Sequence, residues 1–294
     1  RPALPDSRVQ PETAMGETLR RAGESLTLFI AQPIISAPWN AGLVGPKRRL
    51  IWREVELAEV REVRRSLGGT INDVVLAVIA EAAARYLSSK SEAAKGKHLR
   101  MMCPVSVRTD DEQNSQGNRV SAVFPITSAE AMEMTARLEQ IRLETEQLKH
   151  AKEAHALDTL RETLPGVPAI MMAPTRLVGT ALDPTAIAAT FPGRVVQPFG
   201  LRAPVAVNFT CTNIPGVQTA QYFSGHKVLD TFSMLMLGAN LGYGVAVSSY
   251  NQKLYLNFVA EPRLMPDPEK MADLARECFK ELLNSARLAA RQAS

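Results

Sequence analysis

Residues 67–87 read LGGTINDVVLAVIAEAAARYL, and this stretch decides how the rest of the chain is arranged. Gly68 and Gly69 interrupt the helical periodicity before them, and Thr70 then offers a side-chain oxygen to the first free amides of a new helix. Asp73, three residues on, completes a capping box. Ile71, Val74, Val75, Val78, Ala82 and Tyr86 recur at helical spacing, and Leu76, Ile79, Ala83 and Leu87 form a second apolar stripe beside the first. A helix with two adjoining apolar stripes is buried nearly all round, so the other elements must pack about it. Its start carries Asn72 and Asp73, which either cap the helix or present an amide and a carboxylate to a cavity.

Upstream, RLIWREVEL from Arg49 to Leu57 mixes apolar and charged residues in partial alternation and reads as a strand with one wet face. A short helix, Ala58 to Ser66, leads to the double glycine. Residues 1–46 carry Pro2, Pro5, Pro11, Pro33, Pro38 and Pro46. They read as an interdomain linker wrapped on a surface, helical around Thr13 to Ile30, with a mobile turn from Asn40 to Pro46. Residues 47–294 form the domain it leads into.

Downstream come a polar loop (Ser88 to Lys97), a strand (Leu99 to Val107), a loop (Asp110 to Asn118) and a strand (Val120 to Ile126). Ala129 to Leu164 reads as one helix with Met132, Leu138, Ile141, Leu148 and Leu157 inward. Prolines and glycines break Pro165 to Pro204 into short helices and loops. Strands follow at Val205 to Ile214, Val228 to Leu237, Tyr243 to Tyr250 and Leu254 to Ala260, the last two joined through Asn251-Gln252 as an antiparallel hairpin. Pro268 opens a final helix whose inward stripe is Met271, Leu274, Cys278 and Leu282. Strands in both halves with helices between them predict an α/β sandwich with a mixed sheet.

The 294 residues, 46% hydrophobic and 22% charged, suffice for a sizeable core and exclude a disordered or fibrous chain. A formal net charge of +4, with Lys and Arg scattered, gives no footprint for nucleic acid and leaves only a weak attraction for anionic lipid or a CoA phosphate. No apolar run approaches the ~18 residues of a membrane span. A cytoplasmic chain with at most peripheral contact to membranes or lipid inclusions is expected. Cys103, Cys211 and Cys278 are far apart and form no CxxC pair, so neither a metal site nor a disulfide framework is expected. There is no GxSxG elbow, P-loop, GxGxxG or HExxH. Asn208, Thr210, Thr212 and Asn213 fall on alternate or near-alternate positions of one predicted strand, so part of a face is polar where a core strand would be apolar.

The string GGTINDVVLAVIAEAAARYL resembles the Asn-Asp motif region of the bacterial wax ester synthase/diacylglycerol acyltransferase family. Its members are acyl-CoA-dependent O-acyltransferases related to chloramphenicol acetyltransferase and to peptide-synthetase condensation domains. Three further stretches agree with the family in order and spacing: MMCPVSVRTDDEQNSQGNRVSAVFPI (101–126), VAVNFTCTNIPG (205–216) and the tail from 242 to 283. The resemblance implies a fold of the chloramphenicol acetyltransferase type and an acyltransferase of neutral lipid synthesis, making triacylglycerol or wax ester. Acyl-CoA would be its co-substrate, a diacylglycerol or long-chain alcohol its acceptor, and no other cofactor is implied.

In the family the base is the second histidine of an HHxxxDG motif in an N-terminal domain. No such string stands here, so the chain resembles the C-terminal portion, expected to be inactive without its HHxxxDG-bearing partner domain. Of the four histidines, His98 reads as solvated at a strand entrance, His150 and His155 as surface residues of a charged helix, and His226 as a turn residue. By resemblance Asn72 and Asp73 match the Asn-Asp motif, Asn72 to orient a substrate carbonyl or hydroxyl and Asp73 to fix a loop or a basic partner. Thr212-Asn213-Ile214-Pro215-Gly216 matches a Ser-Asn-Val-Pro-Gly pattern, and Asn208, Thr210, Thr212 and Asn213 are candidates to hold the acyl carbonyl or the pantetheine. The plain alternatives are a satisfied buried amide for Asn72 and a turn-setting role for Asn213. The chain departs from the family at LGANLGYGV, where Leu237 and Gly242 replace polar residues. Two other functions share the fold: a non-catalytic lipid-binding or scaffolding domain, and a condensation-type enzyme using a carrier-bound donor.

Overall fold

The computed structural model describes residues 34–90, 92–106, 120–150, 205, 207–238 and 240–292. In chain order the elements are β1 (Arg49–Glu56), α1 (Leu57–Leu67), α2 (Ile71–Ser89), β2 (His98–Ser106), β3 (Val120–Val123), β4 (Ile126–Ser128), α3 (Met134–His150), β5 (Phe209–Ile214), β6 (Tyr222–Phe223), β7 (His226–Lys227), β8 (Tyr243–Tyr250), β9 (Lys253–Ala260) and α4 (Pro268–Gln292). Seven strands form one mixed sheet in the order β1-β9-β8-β5-β2-β3, with β4 also on β2. Strand β5 runs parallel to both β2 and β8, and the remaining pairings are antiparallel. One continuous core joins the inward sides of all four helices to one face of this sheet. The predicted α/β architecture with a mixed sheet is therefore present.

Helix α2 is the centre of that core, with Val74 to Ala84, Tyr86 and Leu87 at most 3% exposed apart from the half-buried Arg85. Each fully buried Val, Leu or Ile side chain contributes roughly 1.5–3 kcal/mol relative to exposure, which is why a helix with no polar face settles at the middle. Among the described residues no single helix is long and apolar enough to cross a membrane. The β8–β9 hairpin turns at Asn251 and Gln252, with φ of 46° and 67°, as its sequence predicts.

Several expectations need correction. The stretch at 34–40 is anchored in the core rather than merely wrapped on a surface: Ile35, Ala37, Trp39 and Asn40 are buried, Ile34 bridges His98, Ile35 N donates to the His98 carbonyl at 2.9 Å, and Trp39 packs among Tyr86, Phe209 and Tyr243. The strand expected from Val120 to Ile126 is two strands, because Pro125 has no N–H for a ladder and offers only its carbonyl, which Met101 N takes at 3.0 Å. The helix expected from Ala129 begins at Met134, where the Glu133 carboxylate accepts from Thr135 N and Ala136 N at 2.8 and 3.1 Å and acts as the cap. The strand expected from Val205 begins at Phe209.

Val228 to Leu237 is not a strand. Both edges of β8 are already taken by β5 and β9, so this apolar run crosses the sheet through side chains instead. Tyr255 Oη donates to Asp230 Oδ1 at 2.7 Å, and Phe232 packs against Trp52 and Tyr255 with ring centroids 4.7 and 5.5 Å away. Gly242 also has a structural reason. Its N–H donates to the Trp39 carbonyl at 2.9 Å, and a Cβ there would lie 2.6 Å from that same oxygen, so the polar side chain of the family pattern has no room. The readings for residues 1–33, for the loop at 110–118, for the helix beyond His150 and for 165–204 fall outside the described residues.

Candidate functional site

The start of α2 is held from three sides. Gly68 and Gly69 have φ of 85° and 80°, a left-handed path that lets the chain leave α1 and turn into the next helix. Asp73 N donates to Thr70 Oγ1 at 3.2 Å, while Thr70 N and Thr70 Oγ1 both donate to Asp73 Oδ2 at 2.8 Å, so the capping box is complete. The other carboxylate oxygen, Oδ1, accepts from Thr145 Oγ1 of α3 at 2.8 Å. Asp73 is 2% exposed and fully engaged in architecture.

Its neighbour Asn72 is exposed, not the buried satisfied amide of the plain reading. Its Oδ1 accepts from Asn213 Nδ2 at 3.3 Å. Asn213 reaches this point because it lies near the end of β5, in register with Val247 of β8 and on the same side of the strand as Phe209 and Cys211 of the helix-facing core. Just beyond, Gly216 N donates to Ser249 Oγ at 3.0 Å, and a Cβ at Gly216 would lie 2.0 Å from the Ser249 carbonyl oxygen, so only glycine passes here. Two motifs more than a hundred residues apart thus meet through their asparagines.

The remaining candidates separate. Asn208 precedes β5 and is fully buried. Its Oδ1 accepts from Arg100 N at 2.8 Å, its Nδ2 donates to the Ile35 carbonyl at 2.7 Å and to Asn40 Oδ1 at 3.2 Å, and its own carbonyl accepts from Trp39 Nε1 and Asn40 Nδ2, each at 2.9 Å. Such an amide clamps the segment at 34–40 to β2 and leaves nothing for a ligand. Thr210 and Thr212 alternate onto the face opposite Asn213, beside Gly244 and Ala246 of β8. Thr210 is buried and Thr212 half-buried. The four polar residues of this strand region therefore do not share one face.

Sequence reasoning overlooked the buried ion pair that ties α2 to α3. Glu81 of α2 and Arg137 of α3 are both fully buried, with Arg137 Nη2 2.9 Å and Nε 3.0 Å from Glu81 Oε2. Burial pulls Arg137 below its ordinary pKa, and Glu81 opposes that pull. The Glu81 carboxylate also accepts from Arg85 Nε at 2.9 Å and from Met132 N at 3.0 Å. The signal was present: Glu81 interrupts an all-apolar helix, and Arg137 stands beside Met134, Leu138 and Ile141 on an inward stripe. Asn40, Trp39 and Thr145 carried no such local signal.

For chemistry, the thiols offer no nucleophile at neutral pH. Burial pushes Cys211 and Cys278 up to about 12 and Cys103 well above its ordinary value. His98 opens β2, seven positions before the level of Asn213 by the Met102–Thr210 register, or about 23 Å at the rise of a strand. His226 is exposed in the β6–β7 hairpin. His155 and the side chain of His150 lie outside the described residues. Among the described residues no group of three or more His, Cys, Asp or Glu is placed to hold a metal ion.

Comparison with known proteins gives this geometry a setting. A family model described as the WS/DGAT C-terminal domain matches residues 116–283, and one described as the wax ester synthase/diacylglycerol acyltransferase catalytic domain matches residues 8–75. Asn72 falls in the second stretch and Asn213 in the first, so their contact joins the two. A protein named probable diacylglycerol O-acyltransferase from Mycobacterium tuberculosis is 28% identical over 271 residues, covering 91% of this chain and 54% of that relative. The wax ester synthase/diacylglycerol acyltransferase from Marinobacter aquaeolei VT8 superposes with a TM-score of 0.61 at 18% identity, covering 97% of this chain and 58% of that one. The TRI3 trichothecene 15-O-acetyltransferase from Fusarium sporotrichioides does so with a TM-score of 0.57 at 11% identity, covering 90% and 52%. At these identities the two structures show the shared fold. The chain spans about half the length of the curated relatives it matches.

Proposed function

This chain belongs to the wax ester synthase/diacylglycerol acyltransferase family, and we propose that it is the C-terminal part of an acyl-CoA-dependent O-acyltransferase of neutral lipid synthesis. Its partner is an HHxxxDG-bearing N-terminal domain, and its acceptor a diacylglycerol or a long-chain alcohol. In the reaction the acceptor hydroxyl oxygen attacks the thioester carbonyl carbon of acyl-CoA, and the base of the partner domain takes the hydroxyl proton. The tetrahedral oxyanion then collapses, the C–S bond breaks, and the CoA sulfur leaves with that proton. One ester and one CoA thiol result, with no further reagent required.

The observation that supports this reading is the meeting of Asn72 and Asn213, one from each family-matched stretch, at an exposed edge of the fold. Asp73 fixes the helix start, β5 fixes the strand end, and Asn72 is left as a polar group for a reacting carbonyl. The chain carries no HHxxxDG string, so this reading assigns the base to the partner domain, and loss of such a base typically costs ~100-fold to 10,000-fold.

The test is to express the chain with and without the HHxxxDG-bearing domain, supply long-chain acyl-CoA with diacylglycerol or alcohol, and follow thiol release and ester formation. The joined protein is expected to make ester, and the chain alone to be at least ~100-fold slower. Binding of lipid without ester from the joined protein would replace this reading by a lipid-binding or scaffolding role. Equal turnover by the chain alone would place the base within it.

A further inference from the structure

A primary amide can serve a carbonyl or a hydroxyl in opposite ways, because its NH₂ only donates and its oxygen only accepts. Which end of Asn72 faces the reaction therefore decides what it can do there. In the structure Asn72 Oδ1 is turned to β5 and occupied by Asn213 Nδ2, and no acceptor among the described residues takes Asn72 Nδ2. The backbones on both sides are held independently of this contact. Asp73 is tied to Thr70 and Thr145, and Asn213 sits in the parallel ladder with β8 just before the Gly216 to Ser249 bond. The cap of α2 is complete without Asn72, so the helix itself places no demand on this amide.

We propose that Asn213 is a positioning residue: by donating to Asn72 Oδ1 it holds the Asn72 amide with its NH₂ outward, so that Asn72 acts as a hydrogen-bond donor to the thioester carbonyl and its oxyanion. Asn72 then does not act as an acceptor that orients the attacking hydroxyl. The inference rests on the acyltransferase reading and sharpens it to one polarity. The position of Asn72 agrees in sign. The second residue of α2 lies at the positive end of a 19-residue helix, where developing negative charge is favoured and a further donor adds to the same field.

Asn213→Asp separates the two polarities. An ionised carboxylate only accepts, so it draws the Asn72 NH₂ toward β5 and leaves the Asn72 oxygen outward. In the joined two-domain protein, Asn213→Asp is expected to lower kcat ~10-fold or more with the KM for acyl-CoA little changed, and Asn213→Ala, which releases the amide without fixing it, to lower kcat a few-fold. The double variant Asn72→Ala/Asn213→Asp is expected to be no slower than Asn72→Ala, because Asn213 acts through Asn72. Melting temperatures report whether each variant is folded, and rates are compared per folded molecule.

An Asn213→Asp enzyme as fast as wild type or faster would overturn the inference and make Asn72 an acceptor. A double variant slower than Asn72→Ala by the full Asn213→Asp factor would also overturn it, since the new charge would then act directly. If wild type itself forms no ester, the acyltransferase reading fails first. If wild type is active and Asn213→Asp is silent, only the polarity of Asn72 fails.

Discussion

Asn208 and Asn213 stand at opposite ends of β5, carry the same side chain, and have opposite uses. Asn208 is fully buried, and its side chain bonds Arg100 N, Ile35 O and Asn40 Oδ1. Asn213 is half-buried and among the described residues makes one side-chain bond, at 3.3 Å, to the exposed Asn72. The difference teaches how to sort polar groups near a candidate site. A buried amide must be fully paired or it costs stability, and a fully paired amide has nothing left for a ligand. A half-used amide at an exposed edge has capacity to spare.

The sharpest way to break this comparison is Asn208→Ala. It leaves the Arg100 N–H and the Ile35 carbonyl without their partners in a dry interior, at roughly 1–3 kcal/mol for each orphaned group, so a loss of about 3–5 kcal/mol is expected in urea denaturation. A loss below about 1 kcal/mol would mean that the segment at 34–40 is held by Trp39 packing and by the bonds to the backbone carbonyls of His98, Asn208 and Trp39 that the substitution leaves intact.

Asp73→Ala comes next. It removes the acceptor of Thr70 N, Thr70 Oγ1 and Thr145 Oγ1, while the bond that the residue 73 backbone N–H donates to Thr70 Oγ1 survives. A loss of about 2 kcal/mol is expected from the broken box and the freed Thr145 hydroxyl. Turnover per folded molecule should change by less than the Asn72 variants change it, since the carboxylate faces α3 and not solvent. An Asp73 variant that melts like wild type yet loses turnover would move the carboxylate from architecture into the site.

These cases show what is legible in the sequence. The capping box, the buried helix and the hairpin at Asn251-Gln252 were readable because each is decided by residues a few positions apart. The apolar run from Val228 to Leu237 reads as a strand by composition, but β8 had no free edge for it, and only the pairing of β5 and β9 reveals that. Asn208 could not be told from Thr210 or Thr212 by alternation, because its partners Trp39 and Asn40 are nearly 170 residues away. Asn72 and Asn213 each stand out in the sequence, and no spacing between them says that they touch. Glu81 and Arg137 were legible in principle, as two charges on apolar stripes that needed each other.

The smallest expected effect on folding, and the one that separates the two ends of β5 most cleanly, belongs to Asn72→Ala. The side chain is exposed and plays no part in the cap, so its removal should shift stability by no more than about 0.5 kcal/mol, the range of surface substitutions. Alanine is also a good helix former, which offsets part of any loss. If Asn72 touches the reacting carbonyl, turnover of the joined two-domain protein should nonetheless fall ~10-fold or more, corresponding to about 1.4 kcal/mol of transition-state stabilisation absent from the folded ground state. Thermal melting and steady-state kinetics on one preparation read both quantities. A variant that loses stability and keeps its turnover would assign Asn72 to the helix start, and the Asn72–Asn213 contact would then be architecture of the same kind as Asn208.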